Sequence, residues 1–262
     1  MNEQKIPTVL SIAGSDSGGG AGIQADLKAI ARCGAHGMTA ITAITAQNTV
    51  GVDAIEAISP AMIIAQIRAV AEDIGVDAVK IGMLGTTATI EAVAEGLDLI
   101  GETPMVVDPV MVSESGADLL APDARTALID MILTRANVVT PNISEARVLT
   151  GLGDDATQTE LAEAVVALGP QVAVVTGGHS AGLVDLFYDG FEVVEILGER
   201  HEGTSSHGSG CTHSSALATF LAQGLDPLAA ARSAQALASE AVSQGLDSVG
   251  QGPGPVDVFG LS

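Results

Sequence analysis

The chain has 262 residues, 47% of them hydrophobic, and carries 32 acidic against 10 basic side chains for a net charge of -22. With lysine only at Lys5, Lys28 and Lys80 there are no Lys/Arg clusters of the kind phosphate backbones need, so no nucleic-acid partner is expected. Cys33 and Cys211 give no disulfide framework, and no apolar run approaches the roughly 18 residues of a membrane span, so one cytoplasmic domain over residues 1–262, off the membrane, is expected.

In chain order, Thr8 to Ala13 reads as a buried strand and Ala21 to Arg32 as a helix, with Ile23, Leu27 and Ile30 near helical spacing. A second strand ends within Ala43 to Asn48. Val-rich runs follow at Val76 to Ile81, Met105 to Val107, Asn137 to Thr140 and Val172 to Thr176. They alternate with Ala-rich segments such as Ala61 to Glu72, Thr89 to Leu99 and Ala124 to Leu133. Continuous apolar strands joined by helices predict a parallel sheet covered on both faces, an α/β architecture. Gly182 to Asp189 and Phe191 to Leu197, joined near Asp189-Gly190, read as an appended hairpin, and helices over Cys211 to Gln223 and Pro227 to Gln244 close the chain. Four Phe, one Tyr and no Trp mean a core of Ala, Val, Ile and Leu. Acidic residues scattered through the helices suggest a halophilic, salt-screened surface; an ordinary acidic protein is the other reading.

In such sheets ligands bind beyond the carboxyl ends of the strands, and the residues there are rich in chemistry. Gly14 to Gly22 is a glycine-rich loop that either approaches a ligand or merely connects. Within it Gly20-Ala21-Gly22-Ile23-Gln24-Ala25 fits a dinucleotide pattern, but the acid expected about 20 residues on is replaced by Thr45, Gln47 and Asn48, which demotes that reading. Gln47 offers an amide that can donate and accept against a heterocycle edge, or sits in a surface turn. Asp108, Asn142 and Glu145 are oxygen ligands at neighbouring strand ends and suit Mg²⁺, with Asn142 equally a helix cap. Lys80 could neutralise phosphate or snorkel. Gly208-Ser209-Gly210-Cys211-Thr212 opens a helix and forms an anion site, where Cys211 is expected to have a lowered pKa; the other reading is a turn with a buried thiol. His207 is read as supporting this loop and His213 as lying on the helix surface.

Together, Ala13-Gly14-Ser15-Asp16, Gly19 to Lys28, Ala46-Gln47-Asn48-Thr49, Lys80 to Leu84, Val107 to Met111, Thr140-Pro141-Asn142 with Glu145-Ala146, Gly177-Gly178-His179 and His207 to Thr212 resemble hydroxymethylpyrimidine/phosphomethylpyrimidine kinases of thiamine biosynthesis. The resemblance covers nearly the whole chain. It implies a ribokinase-like three-layer α/β/α fold and an ATP- and Mg²⁺-dependent enzyme acting on 4-amino-5-hydroxymethyl-2-methylpyrimidine and on its monophosphate; a homodimer is expected. It also implies that Gln47 reads the aminopyrimidine edge, with Gly14, Asp26, Met83 and Val110 lining the pocket. Asp108, Asn142 and Glu145 would organise Mg²⁺, and the amides of Gly208, Ser209, Gly210 and Cys211 would hold the transferred phosphoryl group. Cys211 would act as a base or as a transient phosphate carrier. Where the family often carries basic residues, this chain has Thr176 and Thr204-Ser205-Ser206, which leaves Thr176, His207 and Lys80 to meet phosphate and puts the second phosphorylation in question. Relatives fused to a thiamine-phosphate synthase domain exist, and with its end at Ser262 this chain is expected to lack one. Two other readings remain: a pyridoxal kinase, to be decided by the side chains around Gln47 and Met83, and a non-catalytic pyrimidine sensor, which would not need Asn142, Glu145 or the Gly208 loop.

Overall fold

The computed structural model describes residues 5–113, 116–177, 184–199, 201 and 205–261. Its strands are β1 (Thr8–Asp16), β2 (His36–Gln47), β3 (Val52–Ala57), β4 (Ala78–Ile81), β5 (Met105–Val107), β6 (Val138–Val139), β7 (Val172–Val175), β8 (Val184–Tyr188) and β9 (Val193–Leu197). They form one sheet in the order β3-β2-β1-β4-β5-β6-β7-β8-β9. Pairing is parallel from β2 through β7, and antiparallel for β2 with β3, β7 with β8 and β8 with β9. The expected mostly parallel sheet with an appended hairpin is therefore present; Gly182 lies outside the described residues, and the first hairpin strand begins at Val184. The antiparallel β3, missing from the sequence reading, is an exposed edge strand bearing Asp53 and Glu56.

The helices are α1 (Gly22–Arg32), α2 (Pro60–Asp73), α3 (Thr87–Leu97), α4 (Ala124–Ala127), α5 (Ile143–Thr150), α6 (Gln158–Ala167), α7 (Ser209–Ala222) and α8 (Pro227–Ser243), with α4 continuing through a π turn, Leu128–Ile132, and a 3₁₀ turn, Leu133–Arg135. Two apolar layers sandwich the sheet. One joins Leu10, Ile12 and Ile81 to Ile63 and Ile67 of α2 and to Ile90 and Val93 of α3. The other joins Val9, Val106 and Val174 to Ile30 of α1, Leu217 of α7 and Ala230 and Ala234 of α8. Because successive strand residues point to opposite faces, Val9 and Leu10, or Val106 and Val107, serve one layer each. No helix among the described residues is long and apolar enough to cross a membrane.

One polar network runs through this interior. Lys80 of β4 and Asp26 of α1 are each 0% exposed, with Nζ 2.8 Å from Oδ1. Ser215 Oγ of α7 donates to Asp26 Oδ1 at 2.8 Å, and Ser11 Oγ of β1 donates to Oδ2 at 2.6 Å. Four elements are thus tied to one carboxylate. The snorkelling expected as one reading of Lys80 does not occur. Burial works against its charge, but Asp26 and, to a lesser degree, Cys211 and Asp108 together outweigh it and hold the ammonium above its ordinary range.

A single substitution, Lys80→Met, leaves Asp26 charged and buried without its cation, and is expected to cost about 3–5 kcal/mol. Urea denaturation of that variant beside the double variant Lys80→Met/Asp26→Leu tests this. The double variant is expected to recover much of the loss, because both buried charges are then removed.

Candidate active site

The strand order reverses between β1 and β4, since the chain builds outward to β3 and then returns to the other side. Such switch points open a crevice above the carboxyl ends of the strands. A cavity of about 490 Å³ lies there, and residues from the ends of β1, β2, β4, β5, β6 and β7 meet the start of α7 in it. At one end Gly14, Gln47, Met83 and Val110 line the wall. Gly14 sits where the β1–β2 register shifts, between Ala13 and Ser15. A side chain at Gly14 would meet Met83 Cε at 2.7 Å, so its absence leaves Met83 room. Thr45 Oγ1, 3.2 Å from Gln47 Oε1, fixes the amide from one side.

Asp26 is not among the lining residues. Its carboxylate is engaged by Lys80, Ser11 and Ser215 behind the cavity, which corrects its expected place in the pocket wall. Lys80 does reach the lining, but its ammonium is committed to that pair.

The glycine loop is a fitted piece and not a slack connector. Asp16, at the end of β1, accepts from the amides of Gly18 (2.8 Å), Gly20 (3.0 Å) and Ala21 (2.8 Å), while the His207 ring N–H donates to Asp16 Oδ2 over 2.9 Å. Burial would raise the Asp16 pKa, but the His207 bond and these amides bring it below the usual range. His207 supports the loop, as its sequence position suggested. Gly208 has φ +85°, and a Cβ there would sit 1.7 Å from the Gly20 carbonyl oxygen, so only glycine lets the two loops touch. The sequence signal for the role of Asp16 is an Asp followed by small residues and glycines, the mark of a carboxylate-capped turn.

Gly208 leads directly into α7. The Ser209 amide already donates to the Ser206 carbonyl at 3.0 Å, so it is withdrawn from the expected donor set. The amides of Gly210 and Cys211 have no acceptor among the described residues and start a helix, where the dipole favours an anion. Contrary to expectation, burial pushes the Cys211 thiol up to about 12, with Lys80 only partly opposing. The helix start does favour a thiolate, but removal from water outweighs it.

Opposite this loop, Ser214 Oγ donates to Asp108 Oδ2 at 3.1 Å, and a Cβ on Gly210 would lie 3.9 Å from the same oxygen. Asn142 caps α5: its side chain accepts from the Glu145 amide at 2.9 Å, while Glu145 Oε2 accepts from the Asn142 amide at 3.0 Å. Glu145 Oε1 also takes the Met111 amide at 3.4 Å. Burial, then repulsion from Asp108, raises Glu145 to about 8; burial raises Asp108 as well. Two buried, mutually repelling carboxylates without a dedicated cation are the chemistry of a hard divalent metal completed by waters. Thr176 lines the cavity at the end of β7, while Gly178, His179 and Thr204 lie outside the described residues. His213 does not lie on the surface: it is 4% exposed and lines the cavity.

Comparison with known proteins gives the chain a context. Residues 16–257 match the family model described as phosphomethylpyrimidine kinase. A hydroxymethylpyrimidine/phosphomethylpyrimidine kinase from Rhizobium meliloti is 49% identical, with 95% of this chain and 96% of that one covered. A bifunctional thiamine biosynthesis protein from Geobacter sulfurreducens is 43% identical over 95% of this chain and 52% of its own. Among solved structures, the pyridoxal kinase from Staphylococcus aureus in complex with AMP-PCP and pyridoxal superposes with a TM-score of 0.89 at 33% identity, covering 98% of this chain and 95% of that one.

The raised Glu145 pKa has a stability consequence. Between its unfolded value and about 8 the folded chain holds a proton that the unfolded chain releases, so this stabilising contribution is present at low pH and is lost as pH rises through that window. The melting temperature of the ligand-free chain is expected to fall between about pH 5 and pH 8. In Glu145→Gln most of that slope is expected to disappear, leaving the part due to Asp108; calorimetry across the pH range checks both.

Proposed function

This chain belongs to the phosphomethylpyrimidine kinase family, and from that premise we propose that its cavity transfers the γ-phosphoryl group of ATP to the hydroxymethyl oxygen of 4-amino-5-hydroxymethyl-2-methylpyrimidine and then a second phosphoryl group to the monophosphate, in thiamine biosynthesis. In each step an O–P bond forms to the substrate oxygen, the bond from the γ-phosphorus to its bridging oxygen breaks and ADP leaves; in the first the hydroxyl proton is released. The observation that carries the reading is that the Gln47 amide and the uncommitted amides of Gly210 and Cys211 open into one cavity. The first suits an aminopyrimidine edge and the others suit a phosphoryl group whose charge is spread over its oxygens.

Within this reading Gly14, Met83 and Val110 enclose the pyrimidine ring. Asp108 and Glu145, with Asn142 fixing Glu145, would hold Mg²⁺, and two buried carboxylates with raised pKa values, Glu145 partly through Asp108, support a cation there. When bound, Mg²⁺ neutralises phosphate charge. Cys211 contributes its amide; raised to about 12, its sulfur stays a protonated thiol at neutral pH, with almost no thiolate present to take a proton or a phosphoryl group. The cytoplasm, a homodimer, supported by exposed Ile44 and Ile55 near the β3 edge, and a high-salt working range, supported by the charge of -22, complete the proposal.

The test is product formation followed by mass spectrometry, with Mg-ATP and separately the pyrimidine alcohol, its monophosphate and pyridoxal, in low and molar KCl. Phosphorylation of both pyrimidines is expected. Gln47→Ala is expected to raise KM for the pyrimidine alcohol roughly tenfold or more through lost hydrogen bonds. Turnover of pyridoxal alone would replace the substrate assignment, and no turnover at either salt would sink the reading.

A further inference from the structure

The cavity contains polar atoms that the reading above leaves unused. Neither Nδ1 nor Nε2 of His213 has a hydrogen-bond partner among the described residues, although the ring is 4% exposed. Thr140 Oγ1, at the end of β6, is buried and equally unpartnered. Both residues line the cavity, together with Thr176 and Gly177 at the end of β7. The charged groups that act on His213 are Asp185 of β8 and Asp108 just after β5, the strands flanking β6 and β7. Both carboxylates are engaged elsewhere: Asp185 Oδ1 accepts from the Gly177 amide at 3.0 Å, and Asp108 Oδ2 from Ser214.

Burial pushes the imidazole below its ordinary range against the pull of those carboxylates. The neutral ring has one N–H donor. Leaving it and the Thr140 hydroxyl unpaired in the interior is unfavourable, and such orphans call for a ligand or an ordered water. The nearby uncommitted groups at the start of α7, the Gly210 and Cys211 amides, are also donors. The imidazole N–H, the Thr140 hydroxyl and these amides together offer several donors to a ligand composed of acceptors.

We infer that His213 and Thr140 form a polar subsite for the phosphate chain of the nucleotide, the imidazole N–H donating to one phosphoryl oxygen and Thr140 Oγ1 to another. This rests on the kinase reading and deepens it, because it gives the phosphate chain neutral donors where the cavity's lysine, Lys80, is committed to Asp26. His213 is a binding residue here, and it has no part in making or breaking bonds.

Calorimetric titration of the full chain, without turnover, tests the inference, with ADP, inorganic tripolyphosphate, adenosine and the pyrimidine alcohol as separate probes. His213→Leu is expected to lose about tenfold in affinity for ADP and for tripolyphosphate, with adenosine and the pyrimidine unaffected. His213→Gln keeps a donor and is expected to recover most of the loss, while Thr140→Val is expected to reproduce part of it. With the orphaned ring removed, ligand-free His213→Leu is expected to melt about 2–4 °C above the parent chain. Unchanged ADP and tripolyphosphate affinity in His213→Leu would mean that only water occupies the subsite and would overturn the inference. So would a lower melting point with equal loss for every probe, which marks a structural residue. A parent chain that binds tripolyphosphate through His213 but phosphorylates neither a pyrimidine nor pyridoxal would sink the kinase reading and leave the subsite standing, whereas one that binds neither ADP nor tripolyphosphate would sink the subsite.

Discussion

The buried ammonium of Lys80 is the charge around which the rest of this molecule is arranged. It sits at the end of β4, where the sheet reverses its build direction, and is fully enclosed. Its direct partner is Asp26, yet its field also reaches Cys211 and Asp108. Among the described residues it is the fixed cation acting on these groups. One positive charge cannot offset all of the acids around it, so Asp108 is left raised by burial and by Asp26, and Glu145 by burial and by Asp108. The deficit is local and lies in the cavity wall.

The second constraint is steric and falls on glycines. Gly208 touches the Gly20 carbonyl, a Cβ on Gly20 would be 2.1 Å from the His207 ring, and one on Gly22 would be 2.4 Å from the Gly14 carbonyl. The loop after β1 and the start of α7, nearly 190 residues apart in the chain, are pressed together where any side chain would intrude. Asp16 and His207 then lock them with a buried hydrogen bond. The uncommitted amides of Gly210 and Cys211 owe their position to this contact, and α7 starts without a side-chain cap.

Most of the parallel sheet was legible in the sequence because strands buried on both faces read as unbroken Val and Ile runs, as at Met105 to Val107 and Val172 to Val175. The edge strand β3 was not, since its Val, Asp, Ala and Glu show neither a buried run nor a strong alternation. Helix α6 was missed although Thr157 and Glu160 form a capping box that a Thr-x-x-Glu spacing announces. In the site, chain order sufficed to bring Gln47, Asp108, Glu145 and the Gly208 loop to neighbouring strand ends. What it did not carry was depth. Asp26 was assigned to the pocket wall and lies behind it, and His213 was assigned to the surface and lies inside. Both errors have one source: α7 is packed between the sheet and helices α1 and α8, so the run Thr212 to Thr219 is buried all round and has no solvent face for a periodicity argument to find.

The thiol of Cys211 carries a consequence beyond phosphoryl transfer. Peroxides and electrophiles attack the thiolate, and a sulfur raised to about 12 presents almost none of it at neutral pH. Cys33, raised to about 11 by burial beside Arg32, is shielded in the same way. Both cysteines of the chain are therefore poor substrates for sulfenic acid formation. Within the cavity Cys211 is thus a sulfur kept in its thiol form beside a helix start that on its own would favour the thiolate.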